Sequence, residues 1–163
     1  MKLFFTQSKG SLLLEGFLSV MIISIAFAAL LDIGALSAKT SRTLAQNDQA
    51  NFLLKEDIEA VRDFRDGTTW SSNGLGTVTT GSSNPYHISL MGSAWSLGTG
   101  TETVGNFTRS IVFDKVSRDP TTNNIENTYN SAHDDPNTLK VTVTIASTDR
   151  TFTLSTYLTN WKQ

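Results

Sequence analysis

Glu15 is a lone carboxylate inside the run SLLLEGFLSVMIISIAFAALL, Ser11 to Leu31, where nearly every other residue is apolar. At the centre of a bilayer an ionised side chain costs on the order of 2.5–3.5 kcal/mol, so such a residue is read first as functional. The chemistry open to it is charge pairing, and pairing needs a cation. A cut between Gly10 and Ser11 supplies one, because the new α-amino group lies one helical turn from Glu15. The alternative without a cut is that Glu15 sits near the headgroups and reaches outward to water.

The other candidate groups are weaker. His87 and His133 are the only histidines, and neither has HExxH or paired-ligand spacing. His133, Asp134 and Asp135, with Asp119 and Glu126, carry the oxygen ligands calcium prefers but not the EF-hand order, so a solvated polar loop is the better reading. Asn106-Phe107-Thr108 matches the glycosylation acceptor pattern, a short and common string. Glu56 and Glu59 read as the solvated face of a helix. With no cysteine, disulfides, thiolate metal sites and cysteine nucleophiles are excluded. No catalytic constellation, metal site or cofactor is expected, and the chain does not read as an enzyme. A formal charge of −2 without a cluster of Lys and Arg argues against a nucleic-acid partner.

These groups must be held by elements, and the N-terminal element is plain. About 20 apolar residues at 1.5 Å rise cover the roughly 30 Å of a bilayer's hydrocarbon core. Only a helix pairs all its backbone groups within one segment, so this run is expected to be helical in lipid. Lys2 and Lys9 precede it, which holds the N-terminus in the cytoplasm and sends the remainder outward.

The string Lys9-Gly10-Ser11-Leu12-Leu13-Leu14-Glu15 resembles the class III leader junction of type IV prepilins: a short basic leader ending in Gly, Glu as the fifth mature residue, then an apolar helix. The stretch from Ala50 to Trp70, ANFLLKEDIEAVRDFRDGTTW, is similar to the corresponding part of the pilin modification-type minor pilins. The resemblance implies cleavage by a prepilin peptidase between Gly10 and Ser11, methylation of the Ser11 amine, and Glu15 as the carboxylate that meets a neighbouring subunit's N-terminus during assembly. It implies as partners copies of the chain or other pilins in a helical filament, the peptidase, the inner-membrane assembly machinery and membrane lipid. It places the chain first as a single-pass membrane protein with a cytoplasmic N-terminus, then in a cell-surface filament. Two departures are visible: Ser11 stands where the family usually has Phe or Met, and Asp32 and Gly34 stand where many pilins have a helix-breaking Pro. Both fit a minor pilin, or a pilin of a lineage far from the classical ones, better than a classical major pilin, and a major pilin is not excluded. A type II secretion or competence pseudopilin is not separated from it, nor is a single-pass anchored binding module that never polymerises. Ala26-Phe27-Ala28 also fits signal-peptidase cleavage, which would start a secreted protein at Ala29.

Helical periodicity continues beyond the apolar run. Leu36, Leu44, Leu54, Ile58 and Val61 are linked by steps of three and four through Asn47 and Asn51, with Leu53 and Phe64 widening the stripe. Lys55–Glu59 and Glu59–Arg62 have supportive spacing on the opposite face, and Gly67 supplies a stop. A helix from Ser11 to about Asp66 would run roughly 80 Å. The stripe formed by Leu54, Ile58, Val61 and Phe64 is expected to lie on a sheet. From Gly67 to Gly105 the chain reads as irregular, with β-like pieces at 77–80 and 86–90. Phe107 to Val116 alternates as a strand, with Phe107, Ile111 and Phe113 on one side. Ser117 to Asn137 reads as a polar loop. Residues 139–146 and 151–158 form the strongest hairpin signal, and Trp161 is expected to pack over the sheet or the helix end. The expected class is therefore α+β: a long N-terminal helix, membrane-embedded in its first half, against a small antiparallel sheet. The expected division is 1–10 leader, 11–31 transmembrane and assembly helix, 32–66 amphipathic continuation, and 67–163 extracytoplasmic β-rich head.

Overall fold

No proline interrupts residues 11–66, so nothing removes a backbone donor from a helix there. The computed structural model describes residues 9–92 and 94–162, with backbone alone for Lys9 and Ser11. The expected leader lies outside the described residues as far as Ser8. Helix α1 spans Lys9–Gly67, and neither Asp32 nor Gly34 breaks it. It ends where the Thr68 hydroxyl donates to the Phe64 carbonyl at 2.6 Å, which satisfies one of the last-turn acceptors. Gly67 therefore marks the stop without adopting a left-handed conformation.

The chain divides into two compact units, one ending at Asn47 and one running from Asp48 onward. The first consists of the apolar part of α1. The second holds the last turns of α1 packed on a six-stranded antiparallel sheet, an α+β arrangement. Its strands are β1 (Tyr86–Met91), β2 (Ala94–Thr99), β3 (Glu102–Val104), β4 (Phe107–Ser117), β5 (Asp134–Ala146) and β6 (Thr151–Thr159). Their order is β2-β1-β4-β5-β6, with β3 also pairing β4. The long hairpin sets Ile145 opposite Phe152, Val143 opposite Leu154 and Leu139 opposite Leu158. Strand period two then turns Val141, Val143 and Ile145 inward with Ile111 and Phe113 of β4.

The helix stripe is buried only from Ala50 onward. Leu53, Leu54, Ile58, Ala60 and Val61 are covered and Phe64 is half-buried, whereas Leu36 and Leu44 are exposed. Trp70, just past the helix, is buried and donates from Nε1 to the Pro136 carbonyl at 3.0 Å, tying the helix exit to β5. Trp161 is 61% exposed, so it is not a packing residue. It reaches the helix end instead through a 2.9 Å hydrogen bond from Nε1 to Asp66.

Three expectations need correction. The β-like piece expected at 86–90 is β1, but the segment read as irregular around it also contains β2 and β3. The piece expected at 77–80 is not a strand, since Leu75–Thr77 is a 3-10 turn. The polar loop read as far as Asn137 ends earlier, because β5 begins at Asp134 and Arg118 bridges to Ile125 within it. Glycine masks the β1–β2 hairpin. A Cβ at Gly98 would stand 2.6 Å from the His87 ring on the facing strand, so only glycine admits that close approach.

Candidate functional site

Among the described residues, nothing in its own unit covers the apolar part of α1. An 18-residue window of the helix has mean hydropathy 2.3 and none of it is buried. Leu13 is 77% exposed and Phe17 75%, and the exposed side chains continue through Ile22, Ile25, Leu30 and Leu31. Apolar residues occupy every side of the cylinder, which is the pattern of a helix covered by lipid or by other helices rather than by a sheet. Among the described residues there is thus one helix long and apolar enough to cross a membrane.

Gly10, Ser11 and Glu15 all lie within α1. Gly10 and Glu15 are exposed. The Ser19 hydroxyl, one turn on, donates to the Glu15 backbone carbonyl at 2.8 Å, not to its carboxylate. Among the described residues no cation pairs with Glu15, which is available to a charge on another molecule.

The loop carboxylates weighed as calcium ligands are engaged within the protein. Asp119 accepts from the Thr121 and Thr122 amides at 2.8 and 2.7 Å, which holds its carboxyl below the usual range. Glu126 pairs with His133 at 3.0 Å, and Asp135 with Arg118 at 2.6 Å. Asp134 accepts from the Tyr129 hydroxyl at 3.0 Å. Among the described residues no group of three or more His, Asp or Glu side chains is arranged to hold a metal. A cavity of about 420 Å³ lies beside the helix exit, lined by Arg65, Thr68, Trp70, Asn160, Trp161 and Lys162 among others.

Residue types and alternation did not single out the most buried charge in the fold. Asp57 lies wholly inside, within the helix stripe, and Arg109 lies almost wholly inside on β4. Arg109 Nη1 donates to Asp57 Oδ1 at 3.0 Å, Nε donates to Glu102 Oε2 at 2.6 Å, and Nη2 donates to the Ile88 carbonyl at 3.1 Å. Glu56 stands 3.8 Å from the same guanidinium. Asp57 Oδ2 has no hydrogen-bond partner among the described residues. Three carboxylates thus share one cation. Burial pushes the Asp57 carboxyl up to about 6 against the pull of Arg109, with Glu56 and Glu102 adding to the rise.

The sign follows from linkage. A carboxyl that binds its proton more tightly folded than unfolded adds stability that is complete below its unfolded value of 3.8 and is lost as pH rises through about 6. Across that window the change is on the order of 3 kcal/mol. Asp57→Asn is therefore expected to flatten the fall in stability between pH 4 and pH 7. Denaturant unfolding followed by tryptophan fluorescence at both pH values would detect it, and an unchanged difference between them would count against the assignment.

Comparison of the chain with protein-family models, curated proteins and solved structures finds no match.

Proposed function

We propose that the chain is a filament subunit of the type IV pilin kind, matured by cleavage between Gly10 and Ser11 and polymerised through the apolar part of α1. The observation that carries this reading is an apolar helix surface left exposed in its own unit among the described residues, bearing one carboxylate at the fifth position after a glycine. A lipid anchor needs the apolar surface but has no use for the carboxylate, which raises the cost of insertion. A polymer needs both. Packing of the residues from Leu12 to Leu31 against other copies supplies cohesion, and the Ser11 amine meeting Glu15 of a neighbour sets the stagger. Such a pair loses much of its Coulomb gain to desolvation, so its part is registry more than net stability. Contacts of this head-to-tail kind do not close, and they generate a helix of subunits.

The mature chain would be methylated on Ser11, would start in the membrane with its N-terminus cytoplasmic, and would end in a surface filament beside its own copies or other pilins. Mechanical shearing of intact cells, followed by sedimentation and immunodetection, tests the reading. The chain is expected in the sheared high-molecular-mass fraction. Retention of all of it in the membrane pellet would defeat the filament assignment.

A further inference from the structure

Among the described residues β2 and β6 end the main path of the sheet, each paired along one edge only, while the short β3, which also pairs a single neighbour, carries Glu102. Edge strands of soluble proteins are usually guarded by charge, proline or a bulge, because their free N–H and C=O groups template pairing with another chain. Here the distribution is reversed. The inner strands carry the charges: Arg109, Asp114 and Lys115 on β4, and Asp134, Asp135 and Lys140 on β5. Neither β2 (AWSLGT) nor β6 (TFTLSTYLT) has a charged residue or a proline. The one register irregularity lies between β4 and β5, away from both edges.

The two edges also match in pattern. On the face that meets the helix, β2 presents Trp95 and Leu97, which share the side of Leu90 and Ile88 on β1. On that same face β6 presents Phe152 and Leu154, opposite Ile145 and Val143 of β5. Trp95, Leu97 and Phe152 are only half-buried and Leu154 is 40% exposed, so each edge leaves apolar surface that a further strand would cover. On the opposite face the edges carry mostly small side chains, Ala94, Ser96 and Gly98 on β2 and Thr151, Thr153 and Ser155 on β6, with Tyr157 of β6 the one large exception. Alternation gives a strand one face of each kind, and these two align apolar with apolar and small with small.

We propose that β6 of one copy pairs with β2 of the next, extending the sheet from subunit to subunit. The occupant is a second copy because the complementary edge belongs to this chain, at the other end of the same sheet. The contact is heterologous and non-closing. It goes beyond the helix-mediated assembly proposed above and does not depend on it.

The absence of cysteine makes the test clean. Two full-length chains with different tags are co-expressed in membranes, one carrying Ser96→Cys and the other Thr151→Cys, Thr153→Cys, Ser155→Cys or Tyr157→Cys in turn. With apolar face aligned on apolar face, β6 and β2 of successive copies run in the same direction, and strands about 4.7–4.9 Å apart bring the Cα atoms of facing residues within disulfide reach. Under mild oxidation a mixed-tag disulfide dimer is expected for at least one β6 position, with same-tag dimers at background. Adding Leu154→Lys, which puts a charge on the edge at an already exposed position, is expected to remove that dimer. Two results would overturn the proposal: β6-to-β6 dimers as the dominant product, or no disulfide in any pair while tryptophan fluorescence shows the sheet folded.

Discussion

Arg109→Ala is expected to lower the stability of the sheet-bearing unit by about 3–5 kcal/mol at pH 7, the range for removing one partner of a buried ion pair. The loss has three sources. Asp57 stays wholly buried with no cation, the Ile88 carbonyl loses its donor, and Glu102 loses the group that holds β3 against β4. The size should depend on pH in a stated direction. Asp57 is pushed up to about 6 with Arg109 beside it, and losing that guanidinium raises it further, so at pH 5 the variant's carboxyl carries its proton and little charge is stranded. The penalty is therefore expected to be larger at pH 7 than at pH 5. Arg109→Ala combined with Asp57→Asn should lose less than the sum of the single losses, because the second change removes the charge the first one strands. Denaturant unfolding of the three variants measures this directly. A loss below about 1 kcal/mol for Arg109→Ala, the range of exposed pairs, would show that the cluster is solvated instead.

Glu15→Ala is expected to remove the chain from sheared filaments while leaving the unfolding of the sheet-bearing unit unchanged. The separation follows from position: Glu15 belongs to the first unit, and every residue of the buried core belongs to the second. A single interaction of about 1.4 kcal/mol already changes an association constant tenfold, and in a polymer the interaction recurs at every subunit. A fall of more than tenfold in the sheared fraction is expected, with the chain accumulating in membranes because alanine inserts more easily than glutamate. Glu15→Gln should fall nearly as far if charge pairing sets the stagger, and should assemble normally if a hydrogen bond suffices. Unimpaired assembly of both variants would leave Glu15 without the role assigned to it.

Much of this architecture could be read from residue pattern, for identifiable physical reasons. The long helix was legible because an unbroken apolar run without proline admits no other backbone solution. β4, β5 and β6 were legible because Phe107, Ile111, Phe113, Val141, Val143 and Ile145 alternate with polar residues. β1 was legible as the β-like piece at 86–90, whereas β2 was hidden because serine and glycine dilute its alternation, and Gly98 faces the His87 ring rather than forming a turn. The Arg109 cluster was also missed, although the pattern held the signal. Arg109 shares the inward parity of Phe107, Ile111 and Phe113, and Asp57 falls between Leu54 and Val61 on the buried helix stripe. Opposite charges at two inward positions imply a pair across the core, because neither is tolerated there alone. Glu15 is different in kind. Its oddity is visible in the sequence, but its partner would belong to another molecule, so one chain's packing leaves it exposed.

The intact mass and N-terminal sequence of the chain recovered from its own membranes test the central claim most directly. A chain beginning at Ser11, with one methyl group on the Ser11 amine, is the expected result. A chain beginning at Ala29 would contradict it and make the apolar run a discarded signal. A chain retaining Met1 would contradict it as well, leaving an anchored protein that never acquires the amine Glu15 is placed to meet.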